Sequence, residues 1–77
     1  MEINVLFFGV LAEVTKTSVK HYSNIRSFGE LRLRIEDEFP ELVHYSFRIA
    51  VNNELADGEP VLKPGDEIAY LPPFAGG

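Results

Sequence analysis

The sequence predicts an α+β domain: a mixed sheet of four or five strands with one main helix on one face. Three observations carry this. Several short segments alternate apolar and polar residues, one longer segment repeats its apolar residues every three or four positions, and turn-forming residues separate them. A chain of 77 residues predicts a single domain over 1–77, with 72–77 as a flexible C-terminal tail.

The first strand is read in Glu2 to Val10. Ile3, Val5 and Phe7 fall on one face; Glu2, Asn4, Leu6 and Phe8 fall on the other. Both faces turn apolar towards the end, which predicts a central strand, and Gly9 predicts its break. Thr17 to Tyr22 is rich in β-formers and follows a short polar connection. It is expected to pair antiparallel with the first strand.

The helix lies in "SFGELRLRIEDEFPEL". Ser27 suits an N-cap and Glu30, three residues on, completes a capping-box pattern. Phe28, Leu31, Ile35, Phe39 and Leu42 form one buried stripe, while Glu36, Asp37 and Glu38 face water. Pro40 disfavours helix at Phe39, so the helix is expected to end there.

"SFRIAVNNEL" reads as the third strand, with Phe47, Ile49 and Val51 on one face and Arg48 and Ala50 on the other. Asn52-Asn53 suits a turn, because asparagine tolerates positive φ, and a short strand follows around Leu55. Asp57-Gly58 and Pro64-Gly65 are turn signals. "DEIAYL" is the last strand, with Ile68 and Tyr70 on one face and Glu67, Ala69 and Leu71 on the other.

One helix covers one sheet face. It is expected over Ile3, Val5, Phe7, Phe47, Ile49, Val51 and Ile68. The other face should be solvated and polar. Glu2, Asn4, Arg48 and Glu67 obey that rule; Leu6, Phe8, Ala50, Ala69 and Leu71 break it. Clustered exposed apolar residues mark an interface. Phe8, Leu55, Ala69 and Leu71 are the expected partner contacts, with a self-dimer as the competing use.

Composition narrows the function classes. Twelve acidic residues against seven basic ones, a net charge of −5, disfavour nucleic acid and anionic lipid as partners. There is no cysteine for a disulfide or a thiolate metal site. His21 and His44 have no ligands at metal spacing along the chain, so no metal is expected. No apolar run approaches the ~20 residues of a membrane span, and "MEINVLFF" lacks the basic start of a secretory signal. A cytoplasmic protein is expected.

"VLFF" (Val5 to Phe8), "AVNNEL" (Ala50 to Leu55) and above all "LKPGDEIAYLPPFAGG" (Leu62 to Gly77) carry a resemblance. Together with the strand and helix order, they resemble the ubiquitin-like β-grasp sulfur carriers, most closely the family of molybdopterin synthase small subunits. Gly-Gly alone is a weak signal. Gly-Gly after a Gly-Asp-Glu strand and directly after Pro-Pro-x-x is specific. Phe74 departs from the family pattern, where a smaller aliphatic is expected.

The resemblance implies a carrier that binds no cofactor and is not catalytic on its own. An adenylyltransferase of the ubiquitin-activating kind adenylates the Gly77 carboxylate with ATP, and a persulfide donor then leaves a thiocarboxylate there. The large subunit, in a heterotetramer of two small and two large subunits, receives that sulfur for a cyclic pyranopterin monophosphate (precursor Z). Two such transfers build the dithiolene of molybdopterin. The tail that enters the large subunit comprises Pro72, Pro73, Phe74, Ala75 and Gly76, with Gly77 as the reacting end.

Physical reasons for those residue types stand independently. Glycines without Cβ pass a narrow tunnel, and prolines pre-set an extended base. A free carboxylate is a poor acyl donor until adenylation supplies a leaving group. The same sequence features also admit a thiamine-pathway sulfur carrier, a protein modifier joined to lysines, and a β-grasp binding module with an inert tail.

Overall fold

The computed structural model describes residues 1–73. Its elements are β1 (Ile3–Phe7), α1 (Val10–Thr15), β2 (Val19–Tyr22), α2 (Phe28–Glu38), a 3-10 turn η1 (Pro40–His44), β3 (Arg48–Val51), β4 (Glu54–Ala56) and β5 (Glu67–Leu71). The five strands form one sheet in the order β2-β1-β5-β3-β4. β1 and β5 are parallel; the other pairs are antiparallel. The expected mixed sheet is found, with β1 interior and paired to β2.

The period-two pattern sets the core. Ile3, Val5, Phe7, Ile68 and Tyr70 are buried on the face that α2 covers with Phe28, Leu31 and Ile35. Phe47, Ile49 and Val51 pack, half-buried, against the same cluster. Phe39 meets Phe7 edge-on at 5.7 Å between ring centroids, and Tyr70 lies between Phe7 at 5.4 Å and Phe47 at 4.7 Å.

Capping fixes the ends of α2. The Ser27 hydroxyl accepts a hydrogen bond from the Glu30 N–H at 3.1 Å. Glu30 does not close the expected box on Ser27. Its carboxylate takes the Arg26 N–H and Nε instead, each at 3.0 Å, and these bonds hold it below the usual carboxylate range. At the far end the Phe39 N–H still donates to Ile35 O at 2.8 Å, and Pro40 then diverts the chain into η1. Leu42 completes the buried stripe from this turn rather than from the helix.

Three expectations need correction. The connection between β1 and β2 is not a polar loop: it contains α1, and Leu11 is fully buried. Val10 therefore belongs to a helix, because Gly9 at φ +55° turns the chain out of β1. Ala50, assigned to the solvated face, is only 4% exposed; it sits between Leu55 and Ala69 in register. Finally, Ile25 and Leu62 in connecting segments plug the core, outside the elements expected to build it.

The turns position β5. Asn52 and Asn53 both have positive φ, 49° and 72°, the requirement of a two-residue type I′ hairpin. Asn52 then clamps the start of β5. Its N–H donates to Glu67 O at 2.8 Å, its Oδ1 accepts from Glu67 N–H at 3.0 Å, and its Nδ2 donates to Asp66 Oδ1 at 3.0 Å. Asp66 Oδ2 accepts the Lys63 N–H at 2.8 Å across the Pro64-Gly65 turn, where Gly65 has φ 85°. Among the described residues no helix is long and apolar enough to cross a membrane.

Candidate functional site

Strand registers assemble the uncovered sheet face row by row. Leu6 pairs with Val19 on one side and Ala69 on the other. Ala69 pairs with Ala50, and Ala50 with Leu55. An apolar row, Val19–Leu6–Ala69–Ala50–Leu55, therefore crosses all five strands. Its two ends are the most open: Val19 is 53% exposed and Leu55 56%.

Rows to either side differ in character. On the side where β1 begins, Asn4 lies between His21 and Glu67. His21 Nδ1 contacts Asn4 Oδ1 and its Nε2 contacts Glu2 Oε1, both at 2.8 Å. Spacing along the chain hides this carboxylate neighbour, which antiparallel pairing supplies. Among the described residues no group of three His, Cys, Asp or Glu side chains converges as a metal site. On the side where β5 ends, Leu71 pairs with Arg48, whose guanidinium lies 3.6 Å from Asp57. Phe8 follows one residue past β1, its N–H donating to Tyr70 O at 3.2 Å, and is 45% exposed.

The four expected contacts thus share one face. Ala69 and Leu55 belong to the row, and Phe8 and Leu71 lie beyond it at the end where the tail departs. Sequence reasoning omitted Val19. Its signal was the alternation within "SVKHY", which puts Val19 opposite Leu6 once the hairpin register is known.

The root of the tail is shaped by Gly9. A Cβ on this residue would meet Pro72 Cγ at 3.0 Å, so the missing side chain makes room for the first proline. Pro72 and Pro73 have no N–H to extend the sheet ladder, which ends β5 at Leu71. Phe74, Ala75, Gly76 and Gly77 lie outside the described residues. This arrangement places an apolar sheet face beside a proline-stiffened exit.

Five mixed strands around one main helix, with the chain leaving from the end of β5, define a ubiquitin-like β-grasp protein. The chain belongs to the ThiS family, whose model matches residues 5–77. It is 37% identical to the human molybdopterin synthase sulfur carrier subunit, over 99% of this chain and 94% of that one. A complex of subunits 1 and 2 of molybdopterin-converting factor from Helicobacter pylori 26695 contains a chain with a TM-score of 0.78 and 31% identity, each covered fully. SAMP1 from Haloferax volcanii shares the fold at a TM-score of 0.83, with 21% identity and full coverage of both chains.

Proposed function

We propose that this chain is the sulfur-carrier small subunit of a cytoplasmic molybdopterin synthase. The observation that carries the reading is the apolar row across all five strands, placed beside the root of a tail ending in Gly-Gly. The 37% identity to a molybdopterin synthase sulfur carrier subunit supports it, as does the likeness to a chain found in a complex with a second subunit.

In this reading the row, with Phe8 and Leu71, docks on a large subunit in a heterotetramer. Burying these side chains against a partner removes apolar surface from water at roughly 25 cal/mol per Å². Six residues from Pro72 to Gly77 then reach roughly 20 Å into the partner. An adenylyltransferase uses ATP to activate the Gly77 carboxylate with release of pyrophosphate, a persulfide displaces AMP to form an acyl disulfide, a thiol reductant cleaves that disulfide to leave a thiocarboxylate, and that sulfur passes to the cyclic pyranopterin monophosphate. Acid–base and phosphate-binding groups come from the partners.

Co-purification with the large subunit, followed by intact-mass spectrometry, tests this. Made with its activating enzyme, the protein should gain about 16 Da as sulfur replaces oxygen at the activated carboxyl. Deleting Gly76-Gly77 should abolish that gain while the thermal melt stays unchanged. A mass that never shifts under activating conditions rejects the reading. Complementation separates the thiamine pathway, since a molybdopterin carrier restores molybdoenzymes and leaves thiamine auxotrophy in place. The likeness to small archaeal modifier protein 1 from Methanosarcina acetivorans, at 27% identity and a TM-score of 0.82, supports a second reading as a protein modifier, which predicts higher-mass covalent conjugates in cells.

A further inference from the structure

The sheet ends on one side at β2 and on the other at β4. An edge strand offers unpaired N–H and C=O groups to any passing strand, a second copy of the same chain included. β4 limits this hazard by its length of three residues. β2 is longer, and its register shows which groups are open. The Phe7 N–H donates to Ser18 O at 3.0 Å, and from there the pairs run Leu6–Val19, Val5–Lys20, Asn4–His21 and Ile3–Tyr22. Hydrogen-bonded and non-hydrogen-bonded pairs alternate in an antiparallel ladder. Ser18, Lys20 and Tyr22 therefore bond β1, while Val19 and His21 turn their N–H and C=O away from it. Ser23 continues the alternation one residue past the strand. The other side of β1 agrees, since the Asn4 and Phe8 N–H groups donate towards β5, to Asp66 O and Tyr70 O at 3.2 Å.

Side chains of this chain already occupy most of the open edge. The Thr17 hydroxyl donates to Val19 O at 2.7 Å and accepts the Val19 N–H at 3.3 Å. One hydroxyl thus satisfies both outward groups of Val19, as a neighbouring strand would. At the far end Arg34 reaches round from α2, its guanidinium 5.5 Å from the Tyr22 ring centroid, and its Nη1 donates to Ser23 O at 2.6 Å.

We propose that Thr17 and Arg34 close the free edge of β2 against strand pairing by a second copy of this chain. Their positions match the pairing they prevent. A second copy laid antiparallel along this edge and centred on His21 sets His21 against His21 and Val19 against Ser23, and each such pair exchanges two hydrogen bonds. In the Val19–Ser23 pairs, the Val19 N–H would need Ser23 O, and the Ser23 N–H would need Val19 O. Thr17 holds both groups of Val19, and Arg34 holds Ser23 O. Only the His21 pair is left, too short a ladder to hold two chains together. The inference does not depend on the sulfur-carrier reading.

Sedimentation velocity of the full-length protein over a concentration series tests this, with amide hydrogen exchange to locate the contact. Thr17→Val combined with Arg34→Gln removes both caps. It should strengthen self-association roughly tenfold or more over wild type and slow exchange at the His21 amide. Each single change should give part of the gain, Thr17→Val the larger part because it frees both groups of Val19. Thr17→Ser keeps the hydroxyl and should match wild type. Association equal to wild type in the double variant and in both single variants overturns the proposal. So does a stronger dimer whose His21 amide exchanges as fast as in the monomer, because the contact then lies elsewhere, on the apolar row. A wild-type dimer with a protected His21 amide also overturns it, because the edge would then be open with both caps in place.

Discussion

Asp66 holds together the entry to β5. It is 9% exposed and accepts from both Asn52 Nδ2 and the Lys63 N–H, and these two bonds keep its carboxyl below the usual aspartate range. Asp66→Ala leaves two donors without their acceptor and should cost about 2–3 kcal/mol, read from urea unfolding at neutral pH. The sign of the pH dependence follows from the lowered value. Native protein binds the proton less readily than unfolded chain, so the stabilisation is complete above the unfolded value near ~3.9 and disappears as the pH falls through the lower folded value. The difference between wild type and Asp66→Ala should therefore narrow on acidification below the unfolded value. Gly9 is the second critical residue. Gly9→Ala imposes a Cβ at φ +55° and 3.0 Å from Pro72 Cγ. We expect a loss of about 1 kcal/mol in a thermal melt, and a fall in thiocarboxylate transfer larger than that loss explains, because Pro72 must shift.

At the scale of elements, α2 was legible because eleven residues display about three full turns of periodicity and Ser27 announces the start. Ser27→Ala should lower stability by about 1 kcal/mol in urea unfolding, since the Glu30 N–H loses its acceptor. α1 was not legible. Its six residues, "VLAEVT", make fewer than two turns, too short for a period to declare itself, and they continue an apolar strand. Only Gly9 marks the change of direction. The strands and their faces could be read from alternation, and the Asn52-Asn53 turn from its chemistry. The parallel β1–β5 pairing could not, because it joins segments more than sixty residues apart and leaves no local mark. Ile25 and Leu62 escaped for a related reason: a core residue supplied by a connection belongs to no periodic pattern.

Across the whole molecule, the two sheet faces divide the labour. One meets α2 and makes the core. On the other, only the middle row and the tail end are apolar, while Glu2, Asn4 and His21 keep the far end polar. In the proposed docking, Phe8→Asp or Leu71→Asp places a charge in the contact with a large subunit and should weaken binding by a few kcal/mol in calorimetry. Leu33→Asp, on the exposed side of α2, provides a control that should bind normally. Unchanged affinity in the first two variants would reject the assigned face. Leu6, Phe8, Ala50, Ala69 and Leu71 were readable from alternation and Leu55 from the short strand after the turn; Val19 needed the register and the extent of the row needed the sheet order.

The parallel pairing of β1 and β5 has a practical consequence. The chain enters the sheet at one end and departs from the other, separated by the length of a five-residue strand, about 17 Å. A tag, tether or fused neighbour attached ahead of Met1 would hang from the end opposite Pro72. Anchored by its amino terminus to a bead or another domain, the chain would thus keep Pro72 on the side away from the anchor.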